Sequence, residues 1–167
     1  MDKFFESLSF WIERVLAVAF AAAVILSFVN VIGRYVFGET IIWADEIQIY
    51  IMIWMAFMGA VVATWRHMHL RMDLLFRMLP AALRLWVQFL ELATMIVLSA
   101  VVVFLSGQYA YDMHSLGRLS DVAQVPMWIP HSGVALGFSL ILCIALWQMW
   151  KLVFRRKYPA AVGGSAG

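Results

Sequence analysis

Apolar positions in this chain run together, without regular alternation with polar ones. Four stretches hold no Asp, Glu, Lys or Arg: residues 15 to 33, 47 to 65, 92 to 111 and 122 to 150. A hydrocarbon core of about 30 Å needs roughly 20 helical residues at 1.5 Å each, and every stretch supplies them. Barrel strands would alternate apolar and polar positions, which these runs do not. The pattern predicts an all-α integral membrane protein with four transmembrane helices, spanning about 15–37, 47–66, 84–111 and 127–150. Residues 1–158 would form one membrane domain, and 159–167 a disordered tail.

The flanks of these runs carry a second pattern. Phe4, Phe5, Leu8, Trp11, Ile12 and Val15 recur at helical spacing, while Lys3, Glu6, Glu13 and Arg14 take other directions. Residues 3 to 14 therefore read as an interfacial amphipathic helix leading into the first span. Asp2, Glu6 and Glu13 argue against a cleavable export signal, so this segment is expected to stay attached. Between the second and third spans, Leu74, Leu75, Met78 and Leu79 share one helical face, with Asp73 and Arg77 pointing away. That predicts a mid-chain amphipathic helix on the lipid surface. Pro80 fits the first turn of the third helix. Pro126 and Pro130 flank Trp128 at the entry of the fourth, each pushing the residue before it out of helical geometry.

Composition agrees: 65% hydrophobic and 13% charged residues in a chain of 167 leave no room for a separate soluble domain. Charge sets the orientation. Lys3, Arg14, Arg66, Arg71, Arg77, Arg84, Lys151, Arg155, Arg156 and Lys157 fall on one side of the spans, and only Arg34 and Arg118 on the other. Both termini are expected in the cytoplasm. Tryptophans mark the same boundaries, with Trp11, Trp65, Trp86, Trp147 and Trp150 at the inner one and Trp43 and Trp128 at the outer; only Trp54 falls mid-span. The net charge of +2 arises at cytoplasmic edges, which speaks for membrane lipids as partners and not for nucleic acid. The single cysteine, Cys143, has no partner for a disulfide within one chain.

Several residues stand out against the apolar background. Ala19, Ala23, Ser27, Asn30 and Arg34 form a small and polar stripe on the first span, suited either to packing within the bundle or to a face for another subunit. Arg34 sits near the outer boundary, at the height of Asp45 and Glu46, where the three are either ion-paired or separately solvated. Glu91 lies at the cytoplasmic edge if the third span begins near residue 92, and nearly halfway across if it begins at Ala81. Gly133 and Gly137 form a GxxxG in the last span, and Ala56, Gly59, Ala60 and Ala63 give the second a small-residue face.

The histidines exclude a haem held within the bilayer, because His67 and His69 belong to the inner boundary and His114 and His131 to the outer. A surface metal at His67, His69 and Asp73 is a weak alternative. No nucleophile with a base, no phosphate-cradling glycine loop and no paired carboxylates can be found, so neither an enzyme nor a cofactor is implied.

The order of features, NVIGRYVFG closing the first span and then IIWADEIQIYIMIWMAFMGAVVATWRHMHLRMDLL, a proline and two further spans, resembles the small membrane subunit of tripartite ATP-independent periplasmic (TRAP) transporters, the DctQ type. The resemblance covers about residues 15 to 155. It is most specific at Arg34–Tyr35, at Trp43 to Glu46, at Gly59, and at His69 to Asp73 after Arg66. It implies a bacterial inner-membrane complex with a large permease subunit and a periplasmic solute-binding protein, importing an organic acid on a sodium gradient. In such a complex the large subunit would move its sites by an elevator motion and this chain would be its scaffold. The outer loops, around Trp43 to Glu46 and 112 to 130, would help dock the binding protein. His67 is an addition to the expected segment. The end of the chain soon after the fourth span implies a separate large subunit. The competing reading is an autonomous small exporter, proton-coupled through Glu91 of two chains.

Overall fold

The structure, a computed structural model, describes residues 2–39, 41–66 and 80–155. Four long helices account for nearly all of them: α1 (Asp2–Ile32), α2 (Ile42–Trp65), α3 (Ala81–Ser115) and α4 (Trp128–Arg155). Each is long and apolar enough to cross a membrane. The mid-chain amphipathic helix, with His67, His69 and Asp73, lies outside the described residues, as does the tail.

α1 runs without a break from Asp2, so the residues expected to lie along the interface continue the axis of the first span. Part of the apolar face is covered, while Trp11 and Val15 on it stay exposed. Phe5 is buried and stacks on Trp65 with ring centroids 4.9 Å apart, and Leu8 and Ile12 pack against the same core. At its far end α1 widens into a π-turn, Gly33–Phe37, closed by Gly38 at φ 72°. The Glu39 amide then donates to the Gly33 carbonyl at 3.1 Å. A Cβ at Gly33 would stand 2.9 Å from the Glu39 oxygen, so the reversal needs glycine there.

α3 begins after Pro80, whose carbonyl accepts the Arg84 amide at 3.0 Å. Pro80 is thus the residue before the helix, one position earlier than expected. In α4, Ile129 is helical although Pro130 follows it, a correction to the expected break. Pro130 stands in the first turn, where helix amides have no intrahelical acceptor to lose.

The helices lie side by side in the order α1, α2, α4, α3, with no other pair packed along its length. Among the described residues the result is a row one helix thick with two open faces. Its central contact is the α2–α4 pair, which run parallel. A Cβ on Gly133 would meet the Trp54 indole at 2.9 Å, and one on Gly137 would meet Phe57 Cβ at 2.8 Å. The two glycines are the GxxxG, and their partner is α2 of the same chain. The mid-span Trp54 lies across the groove they leave. The buried core, Phe5, Val61, Ile141 and Ile144, sits at the end of the row where α1 starts and α2 ends.

Because Gly137 faces the Phe57 backbone as well as its Cβ, Gly137→Leu should lower the stability of the detergent-solubilised chain by about 1–3 kcal/mol through overpacking. Gly59 has nothing within 4 Å of a built Cβ. Gly59→Ala should be neutral or stabilising by up to about 1 kcal/mol. Reversible denaturation of the purified variants measures both.

Candidate functional site

Polar side chains gather at the end of the row that carries the Gly38 turn and the 116–127 loop. Asn30, only 7% exposed, is the hinge of this arrangement. Its Nδ2 donates to Asp45 Oδ1 at 3.0 Å, and its Oδ1 accepts the Ile41 amide at 3.0 Å. Ile41 immediately precedes α2 and has no side-chain cap of its own, so a residue of α1 satisfies an amide at the start of the next helix. One turn deeper, the Ser27 hydroxyl donates to Gln48 Oε1 at 3.0 Å. At Ser27 and Asn30 the α1 stripe read from the sequence meets α2, within this chain.

Glu46 points the other way, to the loop after α3. Its Oε2 accepts the Ala123 amide and its Oε1 accepts the Tyr50 hydroxyl at 2.9 Å. The loop is itself braced. Ser120 donates its amide to Val125 at 2.9 Å, its hydroxyl accepts the Val125 amide at 3.1 Å, and Met127 donates to Arg118 at 3.0 Å. Gln124 takes a left-handed conformation, φ 54°, to close it. Asp121, Val122, Leu119 and Leu116 remain exposed on its surface.

The structure does not make the expected ion pair between Arg34 and Asp45 or Glu46. Asp45 is engaged by Asn30 and Glu46 by Tyr50 and the loop, while Arg34 is exposed and meets no carboxylate among the described residues. A cleft of about 270 Å³ separates them, lined by Ser27, Asn30, Val31, Arg34, Tyr35, Asp45 and Gln48. Trp43, two residues before Asp45 on α2, is about half exposed and is not among the residues lining it.

At the opposite end, Arg66 Nη2 bridges Glu13 Oε1 at 2.7 Å and Oε2 at 2.8 Å, tying α2 to α1. Both side chains are well exposed, and exposed pairs contribute about 0–1 kcal/mol. Register places Glu91. In the antiparallel α3–α4 pair, Tyr109 packs on His131 and His114 on Trp128. Continued along the helices, that register sets Glu91 level with the turn of α4 from Gln148 to Lys151. Trp54 and Phe57 lie against Gly133 and Gly137. The same count puts Arg66 slightly short of that turn, so Glu91 belongs to the end of the row and not to its middle. Buried Gln88 and Gln148 lie nearby.

Sequence reading singled out Asn30, Arg34, Asp45 and Glu46 but passed over Gln48, Tyr50, Ser120 and Ala123. Gln48 could have been found, being three residues after Asp45 on the same helical face and polar in an otherwise apolar run. The Ala123 contact carries no signal in the sequence, because its donor is a backbone amide.

Comparison with known proteins converges on one family. The family described as tripartite ATP-independent periplasmic transporters, DctQ component, matches residues 23–155. The C4-dicarboxylate TRAP transporter small permease protein DctQ of Vibrio cholerae is 24% identical, over 84% of this chain and 70% of its own length. A putative TRAP transporter small permease protein of Haemophilus influenzae is 25% identical, over 78% and 80%. The ectoine TRAP transporter small permease protein TeaB of Halomonas elongata is 29% identical, over 77% and 69%.

Asn30→Leu should cost about 1–3 kcal/mol, because it strands the Ile41 amide and one oxygen of Asp45, whereas Ser27→Ala should cost about 1 kcal/mol or less. Glu46→Ala should loosen the loop while leaving the helices intact. Hydrogen exchange at residues 119–125 should accelerate at least tenfold, with unchanged protection in α2 and α4.

Proposed function

The chain belongs to the DctQ component family of the tripartite ATP-independent periplasmic transporters, and we propose that in such a transporter it is the static frame beside which a large permease subunit moves. It is a multi-pass protein of the bacterial inner membrane. The observation that carries the proposal is the open row α1–α2–α4–α3. A conducting bundle would close its helices around a polar path, whereas the described helices lie in an open row. Apolar side chains such as Phe20, Phe28, Met52, Val97, Leu105 and Leu136 are spread over its surface. A broad, thin layer of this kind is what a neighbour that slides needs at its side.

In this reading the termini face the cytoplasm, as the lysine and arginine distribution requires, and the 116–127 loop faces the periplasm. Held by Glu46, that loop offers Leu116, Leu119 and Val122 to the solute-binding protein. Trp43 and Gly59 are surface positions open to the large subunit. His69 and Asp73, in the cytoplasmic connection, would contact it from the other side. Sodium-driven symport of an organic acid and the elevator motion itself belong to the large subunit. The relatives support leaving solute choice elsewhere, since the names of two of them specify different solutes, a C4-dicarboxylate and ectoine.

Reconstituted alone, the chain should accumulate no solute under a sodium gradient. Reconstituted with its large subunit and binding protein, it should restore uptake. Sodium-driven accumulation by the chain alone would refute the frame. Glu91→Gln separates this reading from a proton-coupled exporter. Uptake by the complete transporter should stay within about twofold of wild type, whereas an exporter built on Glu91 would lose all activity.

A further inference from the structure

The cleft between α1 and α2 holds a cation and an anion that do not meet. Arg34 is exposed on one wall with no carboxylate partner among the described residues, and Asp45 on the other uses Oδ1 for Asn30 and has no partner for Oδ2 among them. Gln48 contributes its amide group, whose oxygen is taken by Ser27. The cleft, about 270 Å³, thus offers one ligand both a cation and a carboxylate oxygen not engaged among the described residues.

Depth and surroundings say what that is. Tyr35, 80% exposed, lines the cleft, and an exposed aromatic residue with a polar tip marks the headgroup level of a bilayer. Below the cleft the surface turns wholly apolar. Val31, Val24 and Phe20 follow one another along one face of α1, and Met52 and Ala56 continue the face of α2 beneath Asp45 and Gln48, all of them exposed. A polar cleft at headgroup depth opening onto a two-helix apolar furrow has the shape of a phospholipid.

We propose that this cleft binds a phospholipid whose headgroup carries a primary ammonium, with the phosphate on Arg34, the ammonium on Asp45 and the acyl chains along the Phe20–Val24 and Met52–Ala56 furrow. The guanidinium offers a forked donor to the phosphate, and the free carboxylate oxygen accepts from the ammonium. A headgroup with a quaternary ammonium has no N–H to give Asp45, and a glycerol headgroup has no cation. The site requires that the chain lie in a membrane but does not depend on the scaffold role.

The test is native mass spectrometry of the detergent-purified full chain, titrated with phosphatidylethanolamine, phosphatidylcholine or phosphatidylglycerol of the same acyl composition. Phosphatidylethanolamine should be retained at least fivefold more tightly than the other two. Arg34→Gln should abolish that preference, Arg34→Lys should restore part of it, and Asp45→Asn, which keeps the oxygen that accepts from Asn30, should reduce the ethanolamine preference over choline. Arg118→Gln, with the same charge loss on the 116–127 loop, should change nothing. Free phosphoethanolamine at millimolar concentration should not compete, since it lacks the chains; competition would make the site one for a soluble phosphate ester and overturn the lipid assignment. Equal retention of the three lipids, or undiminished preference in Arg34→Gln, would overturn it too. So would loss of the large subunit from the purified complex in Arg34→Gln with lipid retention unaltered, which would make the cleft a protein contact.

Discussion

The close approach of α2 and α4 is the contact on which the rest of the structure depends. Two glycines one turn apart leave a groove on α4, and Trp54 and Phe57 of α2 occupy it. No other pair could take the centre of the row. α1 is attached to α2 and α3 to α4, so each outer helix is held in place only through the member of the central pair it flanks. Between apolar helices in lipid the hydrophobic effect supplies no net attraction, because acyl chains are as apolar as leucine. Association must come from close packing and from hydrogen bonds, and the GxxxG groove supplies the packing at the one place where two neighbours must both be carried.

The same physics explains why the row does not curl into a bundle. A soluble four-helix protein closes because burying its outer faces removes them from water. Here those faces are already in an apolar solvent, so closure gains little. Specific contacts hold neighbours together: the glycine groove for α2 and α4, the Asn30, Ser27 and Glu13 bonds and the Phe5–Trp65 stack for α1 and α2, and the edge-to-face ring pairs Tyr109–His131 and His114–Trp128 for α3 and α4. Polar residues are accordingly concentrated at the two ends of the row. Asn30 is nearly buried between α1 and α2, and there it satisfies a helix-start amide that has no acceptor within its own helix.

What the sequence revealed and what it withheld follow the same division. The four helices were legible, since their signal is length and hydropathy, properties that need no neighbour. Asn30, Asp45 and Glu46 were legible as residues of note because a polar group in an apolar run is costly wherever it lies. Their partners were not, and the expected Arg34 pairing failed because it assumed that the nearest opposite charges would meet. Asn30 reached Asp45 first, and a backbone amide of a distant loop reached Glu46. The GxxxG was visible but its partner was not, because a groove does not name what fills it. The order of helices in the row was beyond reach, since all four carry apolar residues on every side and no periodicity separates an inner face from an outer one.

Helix length adds the last constraint. At 1.5 Å per residue the 35 residues of α3 extend over about 50 Å and the 24 of α2 over about 36 Å, against a hydrocarbon thickness of about 30 Å. Members of one row that differ this much cannot all stand upright with both ends at the interface. Either the long ones tilt or their ends leave the membrane, and the register argues for the second at the Glu91 end, where Arg84, Gln88 and Glu91 lie on the first turns of α3 below the level of Arg66. That end of the row also carries the Glu13–Arg66 bridge and the Phe5–Trp65 stack, which tie α1 to α2. Tied helices at that end and a braced loop at the other are what a passive layer needs if it is to hold its shape beside a moving neighbour, because a layer one helix thick has no second layer to resist bending.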